Sequence, residues 1–140
     1  MGSTRSRIIE VILLDTHVVI WLALTPESIS PAATAAIEKT ESAGAIPGIS
    51  VITLYEIANT IRRGRIQPTV PHHVFLNRIM SRFSVFPVSE AIALRAAALA
   101  APFHGDPMDR LIAATAIVVK GTLVTADRKI HAAGVCKTLW

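Results

Sequence analysis

The sequence predicts an α/β domain in which helices cover both faces of a mainly parallel sheet. Short apolar runs rich in Ile, Val and Leu alternate with segments of helical periodicity along the chain, the pattern of successive β–α units. Hydrophobic residues make up 51% of the 140 residues, with a mean hydropathy of +0.50. Several elements must therefore be covered on more than one side, by helices over a parallel sheet or by further burial in an oligomer. The length is that of one ordinary domain, so residues 1–140 are read as a single unit with one substantial core.

"IIEVILLDT" (8–16) reads as the first strand, ending in an aspartate, and "HVVIWLAL" (17–24) as a short helix. After the loop "TPESIS", "PAATAAIEKTES" (31–42) is a helix opened by Ser30 and Pro31. "AIPGIS" (45–50) is a short strand, and "VITLYEIANTIRRG" (51–64) a helix capped by Ser50 and stopped by Gly64. "PHHVFLNRIMSRF" (71–83) is helical, "SVFPVS" (84–89) crosses the sheet, and "EAIALRAAALAAP" (90–102) is an alanine-rich helix. "PMDRLIAATAIVVKG" (107–121) is a long helix, "TLVTAD" (122–127) a strand, and a helical turn from Arg128 leads to a last strand near Thr138–Trp140. That makes about five strands.

No charge-free run reaches the length of a membrane span, about 18 residues, and Pro or Gly interrupts the longest ones. The start "MGSTRSRIIEVILLDT" has the basic flank of a signal peptide, but Glu10 and Asp15 bracket too short an apolar run. The single cysteine, Cys136, excludes an internal disulfide and suits a reducing cytoplasm. A net charge of +4 is compatible with a polyanionic partner without requiring one.

The distribution of the acids is more informative. All four aspartates lie in three short stretches: Asp15, the pair Asp106 and Asp109, and Asp127. In a parallel sheet, ligands bind outside the carboxyl ends of the strands. Asp15 and Asp127 end strands, and Asp109 lies in the first turn of a helix, so all three are expected at one rim. Each has an alternative, because aspartate favours helix N-caps. Asp15 can cap the helix from His17, Asp127 the helix from Arg128, and Asp106 with Asp109 the helix that Pro107 opens. Capping and metal binding are not exclusive.

Glu56 sits in the second turn of its helix and cannot be a cap. Leu54, Ile57, Ala58 and Ile61 mark the core face, and Glu56 points about 150° away from it. Its destination is either solvent or an open cleft at the sheet rim. Converging carboxylates cannot all stay ionised without a cation. Oxygen-only donors favour Mg²⁺ or Mn²⁺, and no His/Cys cluster offers a zinc site. Such ions clamp and activate phosphates. No side chain looks like a covalent nucleophile with its own base, so hydrolysis of a phosphodiester by metal-activated water is the expected chemistry.

The stretches "LLDTHVVIWL", "ISVITLYEIANTIRRGRI", "HGDPMDRLIAATAI" and "GTLVTADRKI", in this order and spacing, resemble the PIN-domain family and, within it, the VapC-type toxins of prokaryotic toxin–antitoxin pairs. The resemblance covers essentially the whole chain. It implies a three-layer α/β/α sandwich and a Mg²⁺- or Mn²⁺-dependent endoribonuclease of the prokaryotic cytoplasm. It also implies a homodimer and inhibition by a small cognate antitoxin. It places the metal-binding and catalytic acids on Asp15, Glu56, Asp109 and Asp127, with Thr125 as a supporting hydroxyl. Asp106, in "DPMDR", is either a cap, a support of the metal site, or both.

Arg62, Arg63 and Arg65 follow the Glu56 helix and are candidates for RNA phosphates, although cations there also complement the helix dipole. Arg110 is a candidate for phosphate or for pairing with a neighbouring acid. His17, His72, His73, His104 and His131 lack metal-ligand spacing and are read as structural or exposed. Trp21, Phe75, Phe83 and Phe86 are read as core or interface. A haloacid-dehalogenase-like phosphatase would need an aspartate where His17 stands, and a receiver domain a lysine where "VTAD" places an acid. The alternative that survives is a non-catalytic RNA- or protein-binding module of the same fold.

Overall fold

The computed structural model describes residues 10–99 and 106–140. Among these, the elements in chain order are β1 (Ile12–Leu14), α1 (Thr16–Leu24), a 3₁₀ turn (Pro26–Ser28), α2 (Pro31–Ser42), β2 (Gly48–Ser50), α3 (Val51–Arg62) and α4 (His72–Arg82). They continue as β3 (Ser84–Phe86), α5 (Glu90–Ala98), α6 (Pro107–Val118), β4 (Thr122–Val124), α7 (Arg128–Ala133) and β5 (Thr138–Leu139). The strands form one sheet in the order β3-β2-β1-β4-β5, and every pairing is parallel.

The alternation of side chains along the strands builds the layers. Ile12 and Leu14 of β1 and Val124 of β4 face a core shared with Val18 and Val19 of α1, Ile37 of α2, Ile57 and Ile61 of α3, and Phe75 and Ile79 of α4. Leu13 and Leu123 face the other side and pack on Ile112, Ala113 and Ala116 of α6 and Ile130 of α7. Helix α5 lies against α6 through Ile92, Ala96 and Ala114. The predicted α/β/α sandwich is the fold observed.

The strands are shorter than predicted, for local reasons. Pro47 lacks the N–H that would extend β2, and Pro87 lacks the one that would extend β3. Strand β4 stops at Val124 because the chain turns there, with Asp127 N–H donating to Thr125 Oγ1 at 3.0 Å. Helix α6 ends at Val118 rather than Gly121, and Lys120 takes a positive φ of 57° before the chain enters β4. At Gly121 a Cβ would lie 2.7 Å from the carbonyl oxygen of Val11, so only glycine lets β4 lie this close beside β1. Helix α5 ends at Ala98; the predicted extension through 100–102, His104, and the start of the first predicted strand at 8–9 lie outside the described residues.

The strand order fixes where a site can form. From β1 the chain winds outward through β2 to β3 on one side, then crosses to β4 and β5 on the other. The switch point therefore falls between β1 and β4, where a crevice opens outside the carboxyl ends. Asp15 directly follows β1, and Thr125 directly follows β4.

Candidate active site

Asp15 is the N-cap of α1 and only 7% exposed. Its backbone N–H donates to Val124 O at 3.0 Å, which stitches the two central strands one step past their ends. Its Oδ1 accepts from Thr16 N at 2.8 Å, and its Oδ2 accepts from Thr125 Oγ1 at 2.7 Å. Because the Thr125 hydroxyl gives its proton to Asp15, it can only accept from Asp127 N–H. One fully buried threonine thus holds the acid after β1 and the turn after β4 together.

Glu56 reaches the same rim from α3. Its Oε1 accepts from Thr16 Oγ1 at 2.6 Å, and Thr16 Oγ1 lies 3.1 Å from Thr53 Oγ1. A hydroxyl has one proton, so Thr53 must donate to Thr16 while Thr16 donates to Glu56. Neither threonine was singled out from the sequence. Thr16 had a signal, standing directly after Asp15, whereas Thr53 had none beyond a polar residue within an apolar helix turn.

The capping alternatives hold alongside the site. Asp106 Oδ1 accepts from Met108 N at 2.9 Å at the start of α6, and Asp127 Oδ1 accepts from Lys129 N at 2.8 Å at the start of α7. Asp109 lies one turn into α6, half-buried. Its carboxyl is pushed up to about 7, first by burial and then by the charges of Asp15, Glu56, Asp106 and Asp127. Glu56 is also raised, chiefly by burial and further by Asp15 and Asp106, against the lowering bond from Thr16. The acids therefore feel one another's charge across the rim. Among the described residues, no three His, Cys, Asp or Glu side chains form a group that could hold a metal ion in their present arrangement.

An open cleft of about 580 Å³ runs from this rim along the seam of α1 and α3. Glu56 and Asp106 border one part of it, and Arg63 and Arg65 also line it, whereas Arg62 is not among its lining residues. Arg110, a candidate for phosphate or for pairing with a neighbouring acid, packs its guanidinium against the end of α5. Its Nε donates to Ala96 O at 3.2 Å and its Nη2 to Leu99 O at 2.6 Å, satisfying carbonyls at the end of α5. His131 is structural, as expected. Its Nε2 meets Thr125 O at 2.6 Å, and since a carbonyl only accepts, Nε2 carries the proton and Nδ1 accepts from Thr138 Oγ1 at 2.8 Å. Trp21 packs between His17 and Trp140, and Phe75 and Phe83 are core residues. Phe86 packs against the opposite core.

The PIN domain family profile matches residues 12–135. The chain belongs to the PIN domain family. It is 35% identical over 120 residues, covering 86% of this chain and 89% of the relative, to Ribonuclease VapC22 of Mycobacterium tuberculosis. The fold is similar to that in the crystal structure of VapBC2 from Rickettsia felis bound to a promoter DNA fragment, with a TM-score of 0.70 at 19% identity, covering 92% of this chain and 97% of that one. It is also similar to a toxin–antitoxin complex from Klebsiella pneumoniae, with a TM-score of 0.65 at 24% identity over 92% and 96% of the two chains. Within this PIN domain, Asp15 and the Asp127 turn meet through Thr125 at the switch point of the sheet, and Glu56 reaches Thr16 beside Asp15. Among the described residues, no helix is long and apolar enough to cross a membrane.

Proposed function

We propose that this PIN domain, spanning residues 1–140 as a single unit, is a Mg²⁺- or Mn²⁺-dependent endoribonuclease and the toxin of a toxin–antitoxin pair acting in a prokaryotic cytoplasm. The observation that carries the reading is the state of the acids. Thr125 ties Asp15 to the Asp127 turn and Thr16 ties Glu56 beside it, while Asp109, raised to about 7 chiefly by burial, also feels the charges of Asp15, Glu56 and Asp127. A divalent cation would relieve that repulsion, and the donors are all oxygen, as Mg²⁺ and Mn²⁺ prefer. The similarity to a mycobacterial ribonuclease over most of both chains supports RNA as the substrate.

Asp15, Glu56, Asp109 and Asp127 would hold the cation. When bound, it supplies a Lewis acid that activates water and offsets charge on the phosphate. The chain's own part is orientation. Thr125 fixes one Asp15 oxygen and the Thr16 amide fixes the other. The Thr53–Thr16 pair fixes Glu56. Half-burial of Glu56 and Asp109 limits bulk water around the reacting phosphate. In the overall reaction the oxygen of water bonds to phosphorus, the P–O bond to the leaving sugar oxygen breaks, and a proton passes to that oxygen.

Toxin–antitoxin complexes among the solved structures of this fold support a small antitoxin partner. Its natural point of attack is the acid cluster, since an arginine can bind two carboxylate oxygens at once and exclude the cation. Self-association as a homodimer completes the reading. The test is RNA cleavage by purified protein. Cleavage should disappear in excess chelator, return with Mg²⁺ or Mn²⁺, and be lost in Asp15→Asn and Glu56→Gln. A protein that binds RNA but never cuts it would be a binding module instead.

A further inference from the structure

Thr125 carries the hold of β4 on Asp15, and each of its polar atoms is engaged. Its N–H donates to Leu139 O at 3.1 Å, and its hydroxyl donates to Asp15 Oδ2 while accepting from Asp127 N–H. Its carbonyl is the group the sheet does not serve. β4 and β5 stop at Val124 and Leu139, so no further rung of their parallel ladder brings a donor. Thr125 is fully buried, and a buried carbonyl without a partner is costly. His131 supplies the donor, with Nε2 2.6 Å from the Thr125 carbonyl oxygen.

The ring is itself held from behind. Thr138 Oγ1, at the start of β5, donates to Nδ1 at 2.8 Å, which leaves the proton on Nε2. The donations therefore run in one direction: the Thr138 hydroxyl to the ring, the ring to the Thr125 carbonyl, and the Thr125 hydroxyl to Asp15. The peptide unit that bears this carbonyl leads through Ala126 to Asp127. A fixed peptide plane there sets both the aim of the Thr125 hydroxyl and the start of α7, which Asp127 caps. Helix α7 has six residues, too few to keep its place unaided. Ile130 anchors it to the core, and His131 ties it back to the turn it springs from.

We propose that His131 is a positioning residue of the acid rim, acting through Thr125. Its ring locks the peptide plane after Thr125, and so sets how Asp15 is held and where the Asp127 turn lies. The proposal rests on the ribonuclease reading for the use of these acids as cation ligands, but the lock itself needs no metal. A packing role alone would be met by any apolar side chain of similar size. A positioning role needs the donor at Nε2.

Three variants separate the two roles. His131→Leu keeps the bulk and removes the donor, and His131→Gln returns an amide N–H near the place of Nε2. Ile130→Val loosens the packing of the same helix and leaves the hydrogen bonds intact. In EDTA, the Asp15 carboxyl ¹³C resonance should move in His131→Leu, return toward wild type in His131→Gln, and stay in Ile130→Val. Mn²⁺ affinity by calorimetry, with no RNA present, should fall about tenfold in His131→Leu and recover in His131→Gln. In a Thr125→Val background, His131→Leu should cost little further affinity, because the path to Asp15 is already cut. Should His131→Leu fail to fold, Thr138→Val removes the hydroxyl behind the ring and should move the Asp15 resonance the same way, by less. An Asp15 resonance unmoved in the variant that folds, an equal Mn²⁺ loss in Ile130→Val, or additive losses with Thr125→Val would each overturn the proposal. Mn²⁺-dependent cleavage with an unmoved Asp15 resonance would remove the lock and leave the ribonuclease standing. A moved resonance in a protein that neither binds Mn²⁺ nor cleaves RNA would do the reverse.

Discussion

Replacing Asp109 with asparagine should make the metal-free protein more stable while abolishing its activity. The ordinary aspartate value is 3.8, and in the folded chain Asp109 stands at about 7. Between those values the folded state keeps a proton that the unfolded state has released. The folded state therefore binds more protons, and its stability falls as pH rises across the window, reaching the full penalty above 7. The raw shift corresponds to about 4 kcal/mol. Half-exposure and solvent screening reduce this to about 2 kcal/mol. Asparagine keeps the shape without the charge and should avoid the penalty. At this chain length, 2 kcal/mol is about 6 °C in Tm. The measurement is thermal unfolding of wild type and Asp109→Asn in EDTA, at constant ionic strength, in steps from pH 4 to pH 8. The two curves should nearly meet at pH 4, and the variant should lead by several degrees at pH 8. Added Mn²⁺ should narrow the gap by raising the wild type. A gap that does not change with pH, or a variant less stable than wild type at pH 8, would refute the argument.

Asp106→Ala removes the cap on Met108 N and should lower stability by about 0.5–2 kcal/mol by denaturant unfolding; RNA cleavage at a temperature well below the melting point should survive. Thr125→Val leaves a buried Asp15 oxygen and the Asp127 amide without their partner, which should cost about 1–3 kcal/mol by the same measurement and weaken Mn²⁺ binding in calorimetry. Arg110→Ala frees two carbonyls at the end of α5 and should speed amide exchange there rather than change the salt dependence of RNA binding. Co-expression with a cognate antitoxin should yield a stable complex and relieve growth arrest; harmless expression of this chain alone, with no cleavage in Mn²⁺, would contradict the toxin assignment.

How far the sequence could be read depended on the range of the interaction involved. The order and type of elements follow from local periodicity, and the caps Ser30, Ser50 and Gly64 mark helix ends where the structure has them. Asp15 and Asp127 could be placed at one rim because parallel strands present all their carboxyl ends on the same side. Glu56 could not be placed by its period alone: pointing away from the core is the same signal for solvent and for a cleft. Only its bond from Thr16, 40 residues away in sequence, decides between them. The carbonyl bonds of Arg110 were equally hidden, since a basic residue beside an acid carries no local signal of the helix packed alongside. Strand ends were overestimated wherever a proline or a side-chain turn stopped a ladder that apolar character alone would have continued.

The stitch between Asp15 and Thr125 joins positions 110 residues apart. During synthesis Asp15 leaves the ribosome long before Thr125 does. Until residues beyond 127 have emerged, β4 cannot lie beside β1, Asp15 has no threonine to orient it, and the fourth acid is missing. Pairings this distant are late events in folding. A fragment that ends before Thr125 lacks the hydroxyl that orients Asp15. The orientation of Asp15 is thus set by a contact that the chain can make only after β2, β3 and the helices from α1 to α6 have been laid down.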